Sequence, residues 1–135
     1  MAQNEEKILE NEIILKIYTE NFLNDSYIDD VVRVMSFHPV FLKEFVKFHN
    51  YLMYSQGVLP YESRHYIAIM SASRHKCLYL VNQQETEFIL QKGKKSWLSG
   101  LENIPQKLQD LNELNKLLCH QPWLINHGLI QVNLI

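Results

Sequence analysis

Three features of this chain predict an all-α fold. Glycine and proline are scarce, four of each in 135 residues. The prolines stand where helices would begin, in a first turn that leaves their missing N–H without consequence. Apolar residues recur at three- and four-residue spacing, whereas the strict alternation of a half-buried strand is rare.

Each element follows from that pattern. Between Glu5 and Leu23, residues Leu9, Ile13 and Ile17 form one stripe, with Ile8, Leu15 and Phe22 beside it. Asp25 or Ser26 is the expected cap of a second helix through "YIDDVVRVMSF". Pro39 suits the first turn of a third, "PVFLKEFVKFHNYLMYS", which should end before Gly57. Pro60 introduces one long helix from Tyr61 to about Lys92, apolar nearly all round in its middle and so buried. Gly93 is expected at a left-handed cap among Lys92, Lys94 and Lys95, which favour the negative helix end. "SWLSGLENI" reads as a short helix. Pro105 opens another, with Leu108, Leu111, Leu114 and Leu118 on one side. Pro122 starts a last element that Gly128 should break.

Composition narrows the function classes. Apolar residues make up 47% of the chain and charged residues 21%, an ordinary globular balance. Its length suits one domain with a real core. A formal net charge of −2 gives no field to attract nucleic acid, so no nucleic-acid partner is expected. No apolar run approaches the roughly 20 residues of a membrane span, and the glutamate-rich start lacks the apolar centre of a signal peptide. Two cysteines, Cys77 and Cys119, make no disulfide framework of the secreted kind. The chain therefore reads as intracellular, with no membrane partner and no cofactor.

The residues that carry chemistry are few. His65, His75 and Cys77 are the closest set of metal-ligand types, but His75 and Cys77 lie two apart and point to nearly opposite sides of a helix. No metal site is expected from that geometry. A thiol reacts as its anion, favoured by a cation or a helix N-terminus. Cys77 is placed mid-helix by this reading, where the dipole does little. Arg74 and Gln84 share its face, and Tyr79 sits roughly 200° round. A lone cysteine in an apolar run commonly packs as a small hydrophobe. Cys119 has only His120 beside it, and pairing with Cys77 would require tertiary proximity.

The series "DDVVRVMSFHPVFLKEF", "GVLPYESRHYIAIMSASRHKCLYLV" and "WLSGLENIPQKLQDLNELNKLLCHQPWLI" resembles the sestrin family, from about Ile28 to Ile125. The matching elements are the His-Pro pair, the Leu-Pro before the long helix, Arg-His-Tyr, Arg-His-x-Cys and Glu-Leu-Asn-Lys, in that order. The resemblance implies a helical bundle of the alkylhydroperoxidase (carboxymuconolactone decarboxylase-like) type over residues 28–135, incomplete at its C-terminus, after a helical extension over residues 1–27. It implies a cytoplasmic, and also nuclear, stress-response protein. Sestrins answer oxidative stress and leucine starvation and restrain the TOR kinase complex by binding the GATOR assembly.

At matching positions the resemblance makes Cys77 the peroxidatic cysteine, Tyr79 its associated tyrosine and His65 a proton relay. The thiolate would attack the O–O bond of an organic hydroperoxide, giving a sulfenic acid and an alcohol. The leaving alkoxide needs a proton. Where the family has a histidine seven residues after the cysteine, this chain has Gln84, an amide that does not titrate near neutrality. No second cysteine follows at CxxC spacing, so reduction would need an outside thiol. The leucine pocket and most of the GATOR-binding surface belong to a half that is not in this chain. Without the family's closing helix an apolar face should stay uncovered, so the chain is expected to form a homo-oligomer or to be a piece of a longer protein. Two functional readings follow. One is a regulator of amino-acid and TOR signalling. The other is a one-cysteine alkylhydroperoxide reductase. A bare helical packing domain is the third.

Overall fold

The computed structural model describes residues 2–25 and 28–134, and these hold seven α-helices and no strand. The all-α expectation holds. The chain divides into two compact units, Met1–Ser55 and Gln56–Ile135.

The first unit holds α1 (Ala2–Asp25), α2 (Asp30–Met35) and α3 (Pro39–Tyr54). Its core is Ile17, Val32 and Leu42, with Ile13, Tyr18, Ile28, Met35 and Val46 packed against them. Ile13 and Ile17 of the expected stripe face inward, but Leu9 stays 59% exposed. With 16 residues, α3 is too short to cover all 24 of α1. The cap of α2 differs from expectation. Ser26 lies outside the described residues, and Asp29 caps instead, its carboxylate accepting from the Val31 N–H at 2.6 Å. Pro39 opens α3 as expected, and Tyr18 Oη donates to Ser36 Oγ at 2.9 Å to tie α1 to the end of α2.

In the second unit the single long helix does not exist. It is two helices, α4 (Tyr61–Arg74) and α5 (Leu78–Leu90), folded back on each other. Tyr66 of α4 and Phe88 of α5 meet at 5.8 Å between ring centres, and Trp97 closes the trio at 5.7 Å from each. Tyr66, Ile69, Met70, Phe88, Ile104 and Leu108 form the core. The expected short helix is two 3₁₀ turns, Lys95–Ser99 and Leu101–Asn103, separated by Gly100 at φ 151°. That backbone conformation suits only glycine.

Pro105 opens α6 (Gln106–His120) as expected. Its buried positions are Leu108, Asn115 and Leu117, while Leu118 is 58% exposed. Gly128 does not break the last element. It lies inside α7 (His127–Leu134), whose N-terminus is capped by Asn126 accepting from the Leu129 N–H at 3.0 Å. Among the described residues no helix is long and apolar enough to cross a membrane.

Candidate functional site

The turn between α4 and α5 decides where the thiol stands. Lys76 takes a left-handed φ of 54°. Its N–H donates to the Ser73 carbonyl at 3.0 Å, and the Cys77 N–H donates to the Ala72 carbonyl at 3.0 Å. These two bonds are the Schellman closure of a helix C-terminus, here built on lysine where glycine is usual. Cys77 is thereby lifted out of α4 and becomes the N-cap of α5, with its carbonyl accepting from the Val81 N–H at 3.0 Å. The mid-helix placement is therefore corrected. The thiol is half-buried at the N-terminal end of α5.

The cation expected beside it is occupied elsewhere. Arg74 donates from its guanidinium to Asn112 Oδ1 of α6 at 2.7 Å. Among the described residues no side chain hydrogen-bonds the Cys77 sulfur. Tyr79, two residues into α5, is 42% exposed.

His65 and Gln84 do come together. His65 is wholly buried on α4, and its Nδ1 lies 2.9 Å from Gln84 Oε1 on α5. An amide oxygen only accepts, so Nδ1 is the donor in this contact. Gln84 thus orients the histidine twelve before Cys77. The pair stands about two helical turns, roughly 10 Å, along α5 from the cysteine. Cys77 at the start of α5, Tyr79 on α5 and His65 on α4 are thus carried by one helix pair.

The Arg-His-Tyr element separates into three tasks. Arg64 donates from Nε to the Leu59 carbonyl at 2.9 Å and lies over the Tyr61 ring at 5.0 Å, closing the entry to α4. His65 meets Gln84. Tyr66 enters the core and donates to the Trp97 carbonyl at 3.1 Å. Burial, with a smaller contribution from Glu102, pushes the Tyr66 phenol up from its ordinary value.

Polar ties that the sequence did not announce join α4 to α6. Asn115 Oδ1 accepts from Ser71 Oγ at 3.1 Å and from Cys119 Sγ at 3.3 Å. Its amide nitrogen donates to the Ile67 carbonyl at 3.4 Å. The available signal was an asparagine on the leucine-rich side of α6, a polar group that burial obliges to find partners. The His75 and His120 rings lie 5.2 Å apart. A cleft of about 390 Å³, lined by Tyr66, Met70, Arg74, Glu85, Leu101 and Asn112 among others, opens beside these ties, and Cys77 is not in its wall. Among the described residues no three His, Cys, Asp or Glu side chains converge as a metal ion would require.

The fold and site define an all-α protein whose second unit carries a half-buried thiol at the start of one arm of a helix pair. The family is shown by comparison: the chain belongs to the sestrin family, and the family description PA26 p53-induced protein (sestrin) matches residues 2–135. It is 49% identical over 115 residues to Sestrin-1 of Mus musculus, which covers 85% of this chain and 23% of that protein. Sestrin-2 of Homo sapiens is 43% identical over 112 residues, 83% of this chain and 23% of that protein. A sestrin homolog of Dictyostelium discoideum is 37% identical over 116 residues, 86% of this chain and 19% of that protein. The chain spans under a quarter of the length of these curated relatives.

Proposed function

We propose that this chain serves as the helical domain of a sestrin-type stress regulator, contributing to the response to oxidative stress and leucine starvation and to restraint of the TOR kinase complex through the GATOR assembly. The observation that carries this reading is the family match over residues 2–135. In cells that are starved of amino acids and refed, expression of the chain is expected to lower phosphorylation of TOR-complex substrates and to recover GATOR components through the lesser part of their binding surface that falls to this domain. Unchanged signalling with no GATOR recovered refutes it. Cytoplasm and nucleus are the compartments this role implies.

A second reading, a one-cysteine alkylhydroperoxide reductase, is favoured by the position of Cys77 at the N-terminus of α5. In it the Cys77 thiolate attacks the O–O bond of an organic hydroperoxide, and its sulfur becomes a sulfenic acid. Tyr79 and His65 take the family's accessory roles. His65, held by Gln84 through its Nδ1–H, would move protons toward the leaving alkoxide through water rather than by direct contact. Labelling of Cys77 by a sulfenic-acid probe after cumene hydroperoxide, lost in Cys77→Ser, is the expected result. Gln84→His should raise turnover. A thiol that stays unlabelled removes this reading and leaves the first in place.

A further inference from the structure

The two cysteines are brought to the same end of α4 by three independent ties. The Cys77 N–H is bonded to the Ala72 carbonyl, which folds the cysteine back against the last turn of α4. On the other side, Cys119 Sγ and Ser71 Oγ both donate to Asn115 Oδ1, at 3.3 and 3.1 Å, so the Cys119 sulfur faces the same turn from α6. The His75–His120 ring contact, at 5.2 Å, joins the residue two before Cys77 to the residue after Cys119. Both thiols are free and half-buried.

We propose that Cys77 and Cys119 are a redox pair, closed by a small-molecule disulfide into an internal cross-link that ties the α4–α5 turn to the end of α6. In the first step the Cys77 thiolate attacks one sulfur of the small disulfide, forming a mixed disulfide and releasing one thiolate. In the second the Cys119 thiolate attacks the Cys77 sulfur, forming the internal bond and releasing the other thiolate. The protein loses two electrons and two protons, and the small disulfide is reduced to two thiols. A dithiol reductant reverses both steps. Closing the bond requires the Cα atoms to stand within about 7 Å of each other.

The test is to equilibrate the dilute protein in glutathione buffers of graded ratio, quench with acid, alkylate, and map the peptides. The expected product is a Cys77–Cys119 linked peptide, in a monomer, whose yield rises with oxidised glutathione and disappears on adding dithiothreitol. Cys119→Ser should leave Cys77 as a stable glutathione mixed disulfide, and Cys77→Ser should leave Cys119 largely unmodified. The helical circular dichroism of each variant shows that it folds. Wild-type protein that ends as two separate glutathione adducts, or as disulfide-linked dimers, overturns the proposal. Because the oxidant is a disulfide, that outcome says nothing against hydroperoxide reduction or TOR restraint.

Discussion

At Gly93 one absent methyl group keeps a core ring in place. A Cβ there would stand 2.3 Å from Phe88 Cζ, and Phe88 is fully buried. Its φ is not in the left-handed region, which Lys92 occupies at 65°, so the glycine is required for close approach and not for backbone freedom. Gly93→Ala should cost about 1–3 kcal/mol by forcing the ring aside, read as a lower urea midpoint. Tyr66 gives the second effect at this scale. Its phenol is held above the ordinary value by burial first and Glu102 second, so the folded state favours the neutral form. That stability is fully present below the unfolded value of about 10 and is lost as pH rises through the higher folded value. Urea midpoints should therefore be flat up to about pH 9 and fall above 10. Tyr66→Phe should shrink the alkaline fall while losing about 1 kcal/mol at neutrality with the bond to Trp97.

At the scale of elements the informative feature is a helix break with neither glycine nor proline at its hinge. Sequence periodicity predicts one helix because α4 and α5 are both apolar and the left-handed residue between them is lysine. A side chain in that conformation costs roughly 1–2 kcal/mol, which the packing of the two arms offsets. Lys76→Gly should raise stability by up to about 1 kcal/mol, and Lys76→Val should lower it, both measured by urea denaturation. If instead glycine destabilises as valine does, the left-handed turn is not what limits this hinge. The caps escaped the sequence reading for a different reason. Asp29 and Asn126 are both residues of the kind that cap helices, and the error at α2 was one of register, since several acidic candidates stand close together.

Over the whole molecule, the second unit depends on one aromatic cluster. Tyr66, Phe88 and Trp97 come from three separate elements and meet within 5.8 Å of one another. Phe88→Ala should cost about 3–5 kcal/mol, seen as a loss of near-ultraviolet circular dichroism at lower urea. A smaller loss would mean that the elements repack around the gap.

Helix content, the starts of α3 and α6 and the family were set by the amino-acid sequence alone, because propensity, proline and residue order are local properties. Only the tertiary structure decided where Cys77 stands, that His65 meets Gln84, and that Asn115 gathers Ser71 and Cys119. Each of these depends on α4 turning back into α5 or packing on α6, and contacts across such distances are fixed by how whole faces fit together, not by the spacing of residues along the chain.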